Sequence, residues 1–286
     1  MTISSVFVAG AGLMGHGIAQ VSAATGRTVA LYEPELERAH AGWRRIAGNL
    51  ERSVAKGRLT AAAADDVLGR VHPTDALDAA ADADLVVEAV FEDVAVKTRL
   101  WSELDAIAPA HTIFATNTSS IAIDRLAGAV GAGRRARFVG MHFFSPVPVM
   151  PLVELVPGSA TDEATGQAIR DVAEEMGKQV IVSADRPGFI VNRILMPLLA
   201  EAMRALEEGL GTAEDIDTGA RLGLNHPMGP LALADFIGLD VCLGILRVLH
   251  EGLGEKHFRP PRILEDLVAA GHLGQKTGRG FHVYPR

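Results

Sequence analysis

The sequence predicts an α/β protein in two parts. Residues 1–185 read as a domain built on a parallel sheet covered by helices on both faces, and 186–286 as an all-α domain. Three observations predict this. Short apolar runs recur through the first part, separated by stretches of helical length, which is how buried parallel strands read. A glycine-rich turn joins the first run to a helix. After Asp185-Arg186-Pro187-Gly188 strand-like runs give way to short helical segments.

The elements follow in order. Residues 3–9 predict a buried strand, 10–15 the glycine turn, and 18–25 a helix. Residues 28–32 give a second strand, and 36–56 a charged, alanine-rich helix. Strands are expected at 85–90, 112–115, 137–141, 152–156 and 180–182, with helices at 94–107, 120–127 and 162–176. From Asp185 to Gly209 the sequence suits one long helix, with Asp185 as its cap, Pro187 in its first turn and Gly209 at its exit. Ile190, Ile194, Leu198 and Met203 recur along it at roughly helical spacing.

Composition narrows the function classes. Apolar residues make up 48% and charged residues 22%, a globular balance. The longest apolar runs fall short of the roughly 20 residues that a membrane span needs. The chain opens directly into strand-like sequence, with no sign of a signal peptide. One cysteine, Cys242, excludes an internal disulfide and a cysteine metal cluster. A cytoplasmic protein without a metal is therefore expected. The net charge of −8 argues against nucleic acid as a partner.

The strongest local motif is Gly10-Ala11-Gly12-Leu13-Met14-Gly15, between strand and helix. Its glycines permit the tight turn, the approach of a pyrophosphate to the backbone, and close helix–strand packing. Amides of the loop and the positive helix end then hold the phosphates. Glu33 closes the second strand 18 residues after Gly15, where an acid grips ribose hydroxyls. No arginine directly follows it to receive a 2′-phosphate, so NAD is expected rather than NADP. A longer chain with further contacts would be expected for FAD.

Oxidation of an alcohol by hydride transfer needs a base whose pKa lies near the working pH. His142 follows the strand Phe138-Val139-Gly140-Met141, and residues just past strand ends face the ligand crevice of an open sheet. A hydrogen-bonded structural histidine fits that position equally well. Glu154 sits among Leu152, Val153, Leu155 and Val156, where a carboxylate is costly unless paired. It either meets His142 or faces outward on an alternating strand. Asn117-Thr118-Ser119-Ser120 lies at another strand exit and suits binding of substrate oxygens or capping of the next helix. Asn192 is an amide early in the apolar helix, facing a site or an interface.

Assembled, these motifs resemble the 3-hydroxyacyl-CoA dehydrogenase family, in particular its bacterial 3-hydroxybutyryl-CoA branch. The resemblance rests on residues 10–20, Val-Glu-Ala-Val-Phe-Glu-Asp at 87–93, Asn-Thr-Ser-Ser at 117–120 and His-Phe-Phe-Ser-Pro-Val-Pro-Val-Met at 142–150. It continues through Pro-Gly-Phe-Ile-Val-Asn-Arg at 187–193, Glu-Asp-Ile-Asp at 214–217, His-Pro-Met-Gly-Pro-Leu at 226–231 and the ending at 273–281. It implies a Rossmann-like NAD-binding domain followed by a helical substrate and dimerisation domain, which would pair two subunits. It implies His142 as base, Glu154 as its partner, Ser119 on the reacting oxygen and Asn192 holding substrate. Glu92 and Lys97 match positions that contact the cofactor in the family, alongside Gly10, Gly12, Leu13, Met14, Gly15, Glu33, Ser119 and Ser145. The implied activity is reversible NAD-dependent oxidation of a short (S)-3-hydroxyacyl-CoA.

Two positions depart from the family. Ser145 stands where asparagine is usual, near the nicotinamide and substrate, and Pro151 stands where lysine is frequent. Arg44, Arg45, Arg52, Lys56 and Arg58 are candidates for the coenzyme A tail. An alternative with the same chemistry is a hydroxyacyl thioester, such as a glyceryl unit, tethered to an acyl carrier protein, for polyketide precursor synthesis. Relatives acting on sugar acids, and non-catalytic lens crystallins, share the framework. Presence of the acyl-CoA branch's Phe-Phe and Pro-Val-Pro-Val pattern argues against the first, and retention of Ser119, His142, Glu154 and Asn192 together argues against the second.

Overall fold

The computed structural model describes residues 2–254 and 258–285. Its contacts divide into one unit ending at Arg186 and another beginning at Pro187. No helix among the described residues is long and apolar enough to cross a membrane.

The first unit carries β1 (Ser5–Ala9), α1 (Gly15–Ala24), β2 (Thr28–Tyr32), α2 (Leu36–Ala55), α3 (Ala61–Gly69) and β3 (Val71–Thr74). Next come β4 (Leu85–Glu88), α4 (Val94–Ile107), β5 (Ile113–Thr116), α5 (Ile123–Ala127), α6 (Ala132–Arg135) and β6 (Phe138–Phe143). It ends with β7 (Leu152–Pro157), α7 (Glu163–Glu175) and β8 (Gln179–Val182). The eight strands form one sheet in the order β3-β2-β1-β4-β5-β6-β7-β8. Strands β1 to β6 run parallel. The expected all-parallel sheet is corrected at its far edge: β7 runs antiparallel to β6, and β8 parallels β7. The connection over 144–151 is too short for the crossover of a dozen or more residues that a parallel pair needs.

The central strands are buried on both faces, as their unbroken apolar sequence requires. On one face Val6, Val8, Val87, Ala115 and Met141 meet Ile18 of α1 and Ile169 of α7. On the other, Trp101 of α4 stacks on Phe114 at 4.8 Å and meets the edge of Phe138 at 4.9 Å. Burial of each such side chain contributes about 1.5–3 kcal/mol.

The second unit is helical: α8 (Val191–Glu207), α9 (Ala213–Gly223), α10 (Pro230–Ile237), α11 (Leu239–Leu253) and α12 (Arg262–Ala269). Met196, Leu199, Ala200 and Met203 of α8 pack with Leu231, Leu243, Leu246 and Leu249. The C-terminal segment is tied down by Asp235, which accepts N–H bonds from Phe281 and His282 at 2.9 Å each and the Tyr284 hydroxyl at 3.0 Å.

Two expectations for α8 are corrected. The helix starts at Val191, because Gly188 and Phe189 hold φ values of +79° and +48°, which no α-helix contains. Asp185 does not cap it. Its carboxylate accepts the N–H groups of Ile123 and Asp124 at 2.9 and 3.0 Å, capping α5. The apolar stripe is also rotated. Ile194 is 65% exposed, whereas the buried face runs through positions 196, 199, 200 and 203. Ile190 and Leu198 are exposed as well, at 36% and 38%, so of the expected stripe only Met203 lies on the core face, because steps of four residues turn about 400° and keep the first three on the opposite side.

Candidate active site

Strands β1 and β4 are neighbours, and the chain builds outward from them in both directions, which makes their carboxyl ends the sheet's switch point. The glycine loop leaves β1 there. Gly10 holds φ +100°, and a Cβ on it would lie 2.6 Å from Ala89 O. A Cβ on Gly15 would come within 1.7 Å of Gly10 O, so the turn closes only without one. A Cβ on Gly12 would meet nothing within 4 Å. The three glycines thus do different work: two allow the loop to fold, and the third leaves room above it. The amides of Gly12, Leu13 and Met14 make no hydrogen bond among the described residues and stand at the N-terminus of α1. That is a donor set for phosphate.

Glu33, just past β2, accepts the Ala11 N–H at 2.7 Å through Oε1. One carboxylate oxygen therefore holds the loop, and the other is available to a ribose hydroxyl. His16 in the first turn of α1 lies 2.7 Å from Gly12 O through Nδ1. Burial holds the His16 pKa below the usual histidine range, against the opposing effect of that hydrogen bond and with help from Arg45.

The loops after β4 and β5 are joined by a buried chain of charges. Lys97 of α4, 1% exposed, meets Glu88 Oε1 at 2.5 Å and Glu92 Oε2 at 3.2 Å. Glu88 is wholly buried at the end of β4 and also accepts the Thr116 hydroxyl at 2.7 Å and the Val90 N–H at 2.8 Å. Glu92 Oε1 collects the Ser119 N–H at 2.9 Å, the Ser120 N–H at 3.0 Å and the Ser120 and Thr118 hydroxyls at 2.9 and 2.5 Å. The Ser119 hydroxyl is its most distant donor, at 3.4 Å. Burial alone would raise the Glu92 pKa, but Lys97 and these donors outweigh it and hold the pKa below the usual range. Glu92 and Lys97 thus fix the loop that presents Ser119, and Lys97 itself lies under the surface.

On the next strand, His142 and Glu154 are directly opposed in the β6–β7 ladder. His142 Nδ1 lies 2.7 Å from Glu154 Oε2, with the carboxylate completely buried and the imidazole 6% exposed. The Phe144 ring leans on the imidazole at 4.7 Å. Asn117 Oδ1 accepts the Phe143 N–H at 2.8 Å, and Asn117 N donates to Glu88 O at 2.8 Å, so the β5 exit is tied to the strands on both sides. Ser145 is exposed in the connection that follows. The Glu154 contact on Nδ1 fixes the orientation of the imidazole.

The first unit therefore brings the glycine loop, Glu33, Glu92, Lys97, Ser119, Ser145, His142 and Glu154 to the carboxyl ends of adjacent strands or the ladder beside them. Asn192 belongs to the helical unit, buried as the second residue of α8. Of the coenzyme A candidates, Arg44 is paired with Glu37 at 2.6 Å and Arg52 bonds Asn49, whereas Arg45, Lys56 and Arg58 are exposed. Sequence reading missed Glu88 and gave Asn117 no linking role. A carboxylate closing the apolar run Leu85-Val86-Val87, with Lys97 nine residues on, was the available signal for the first.

Family comparisons match both units. Residues 5–186 match the NAD binding domain of 3-hydroxyacyl-CoA dehydrogenase, and residues 188–284 match its C-terminal domain. The chain belongs to the 3-hydroxyacyl-CoA dehydrogenase family. Its relatives within the family include the 3-hydroxybutyryl-CoA dehydrogenase of Bradyrhizobium diazoefficiens, 49% identical over 99% of this chain and 96% of that protein. The probable 3-hydroxybutyryl-CoA dehydrogenase of Bacillus subtilis is 47% identical over 99% of this chain and 98% of its own. The crystal structure of the (S)-3-hydroxybutyryl-CoA dehydrogenase of Ralstonia eutropha is similar over the full length of both chains, with a TM-score of 0.96 and 42% identity. As a member of this family the chain is an NAD-dependent oxidoreductase, and the glycine loop and Glu33 fit that dinucleotide.

Proposed function

We propose that this 3-hydroxyacyl-CoA dehydrogenase family member interconverts a short (S)-3-hydroxyacyl-CoA and its 3-oxoacyl-CoA, with 3-hydroxybutyryl-CoA as the representative substrate. The carrying observation is the buried His142–Glu154 pair in a sheet whose switch point carries the glycine loop. The names of the relatives support the substrate class. When bound, NAD⁺ supplies the hydride acceptor.

The chain's own residues do the rest. His142 takes the proton of the 3-hydroxyl as hydride leaves C3, and returns it in the reverse direction. Glu154, engaged on Nδ1, directs that exchange to Nε2 and stabilises the imidazolium. Because the carboxylate is fully buried, its field on the ring is little screened by water. Ser119 donates to the developing oxygen charge, its loop held by Glu92. Asn192, on the helical unit, contributes to holding the substrate. Apolar side chains exposed on the helical unit, among them Ile194, Leu222, Leu224 and Phe236, support pairing of two subunits through that unit.

The test is NADH oxidation with acetoacetyl-CoA, with longer 3-oxoacyl-CoAs and with a carrier-protein thioester, each repeated with NADPH. Turnover is expected to be highest with the short CoA thioester and NADH. Turnover of the carrier-protein thioester alone refutes the CoA assignment. Sedimentation at micromolar concentration is expected to give a dimer.

A further inference from the structure

The connection 144–151 carries Ser145 and links the strands that bear His142 and Glu154. Inside it, the N–H groups of Val149 and Met150 both donate to Pro146 O, at 2.9 and 3.0 Å. The rest of its anchoring comes from outside. Lys178, directly before β8, is buried, and its ammonium donates to Val147 O at 2.6 Å and Met150 O at 2.9 Å. The next residue, Gln179, donates its N–H to Pro151 O at 2.6 Å. On the opposite side Val147, 2% exposed, fills the space left by the missing side chain of Gly17 in α1. A Cβ there would lie 2.8 Å from Val147 Cβ and 3.4 Å from Pro148 Cδ.

Among the described residues no carboxylate pairs with Lys178, and burial lowers its pKa. A buried cation balanced only by carbonyl dipoles is a costly way to fill space, which an apolar side chain would fill without penalty. What the ammonium adds is direction. It holds two carbonyls, one on each side of Pro148 and Val149, at fixed points. Neither Lys178 nor Gly17 reaches the reacting pair, yet both set the shape of the segment between its two members.

We infer that Lys178 is a positioning residue for the reaction: its bonds to Val147 O and Met150 O, against the seat that Gly17 provides, fix the 144–151 connection and with it Ser145 and the opposition of His142 and Glu154. The inference rests on the hydride-transfer reading above. It connects the dinucleotide helix α1 to the outer edge of the sheet through one short segment.

The test uses Lys178→Met, which keeps the stem and removes the donors, Lys178→Gln as a second, polar variant, and Gly17→Ala, which presses on the same segment from α1. Melting temperature, amide hydrogen exchange of the segment 143–152, NADH affinity and steady-state kinetics are measured for each. Both Lys178 variants are expected to remain folded, with exchange in 144–151 at least about tenfold faster and β5 unchanged. With acetoacetyl-CoA, kcat/KM is expected to fall about 10- to 100-fold, as small misplacements at a reacting centre do, with KM rising more than kcat falls. Gly17→Ala is expected to move the same parameters in the same direction. Unchanged exchange together with kcat/KM within about twofold of wild type, in folded protein, overturns the inference. So does a lowered melting temperature with kcat and KM both unaltered, which is a purely structural lysine. If the wild-type chain turns over no 3-hydroxyacyl-CoA, the activity reading fails separately, and the exchange comparison still decides the role of Lys178.

Discussion

Glu154→Gln probes the reaction with the least disturbance of shape. The side chain keeps its size in a site with no solvent exposure, and its neighbours in the ladder, Val153 and Leu155, are untouched. What disappears is a negative charge 2.7 Å from His142 Nδ1. With charge centres about 4 Å apart and an effective dielectric of roughly 20, that charge stabilises an imidazolium by about 4 kcal/mol at most. The amide dipole recovers part of this, leaving a net loss of about 2–4 kcal/mol in the transition state. At 1.36 kcal/mol per decade, kcat is expected to fall about 30- to 1,000-fold. NADH affinity is expected to stay within about threefold, because Glu154 is remote from the glycine loop in strand order. The assay is NADH oxidation with acetoacetyl-CoA under saturation, with NADH fluorescence titration and a thermal melt as controls. A folded variant that binds NADH and keeps kcat within threefold of wild type would remove Glu154 from the reaction and leave His142 without its stated support.

Three further outcomes are expected. Gly15→Ala forces a Cβ to within 1.7 Å of Gly10 O, so it should destabilise the fold by at least about 3 kcal/mol, read as lost soluble yield or a lower melting temperature; Gly12→Ala meets no protein atom and should keep the melting temperature while weakening NADH binding. Equal melting temperatures for the two variants would refute the division of labour in the loop. Burial alone would raise the Asp84 pKa, but the N–H and O–H donors of Ser4 and Ser5 bring it down to about 2. A depressed folded pKa contributes stability that is present above the unfolded value and lost as pH falls through the folded one. Asp84→Asn should therefore cost up to about 2 kcal/mol at neutral pH and flatten the loss of stability between about pH 4 and pH 2 in denaturant titrations. Cys242 is fully buried, and burial, with Asp240 and Asp235 adding to it, pushes its thiol up to about 12. It should resist thiol reagents in the native enzyme and react only on unfolding; stoichiometric labelling of folded protein would contradict its placement.

The elements that were legible in the sequence are those whose signal is steric or strongly periodic. The apolar runs at β1, β4 and β5 have one reading, because a strand buried on both faces has no polar alternation to confuse it. The glycine loop was legible for a similar reason: Gly10 and Gly15 stand where the backbone admits nothing else. Other elements were hidden. The strand β3 had no expectation attached to it: it contains Pro73, which argues against a strand, and is tolerated because it is the sheet's edge, where the missing N–H has no partner to lose. The helix α3 lay inside an alanine-rich stretch that carries no apolar stripe. The start of α8 was misplaced because Pro187 and Asp185 each satisfy a local rule for helix entry, while the positive φ at Gly188 and Phe189 belongs to the turn. Glu88 was passed over as strand, although a buried carboxylate needs a buried partner, and Lys97 is that partner.

The relation between His142 and Glu154 shows where spacing stops informing. Twelve positions separate them, and no periodicity in one chain says whether two residues so placed share a face. Three facts of the fold decide it. The link over 144–151 is short, so β7 must return antiparallel to β6. In that ladder Met141 faces Leu155 and Phe143 faces Val153, so each apolar pair seats on the core side while the pair between them points to the other face. A slip of one residue would turn Glu154 toward the apolar layer and Leu155 toward the imidazole, at the cost of an unpaired buried carboxylate. The hydrophobic register that stabilises the edge of the sheet is therefore the same constraint that brings the acid to the base. Changes that loosen the β6–β7 ladder, such as Leu155→Ala, should lower NADH oxidation and the melting temperature together, and a variant that loses one while keeping the other would refute the shared constraint.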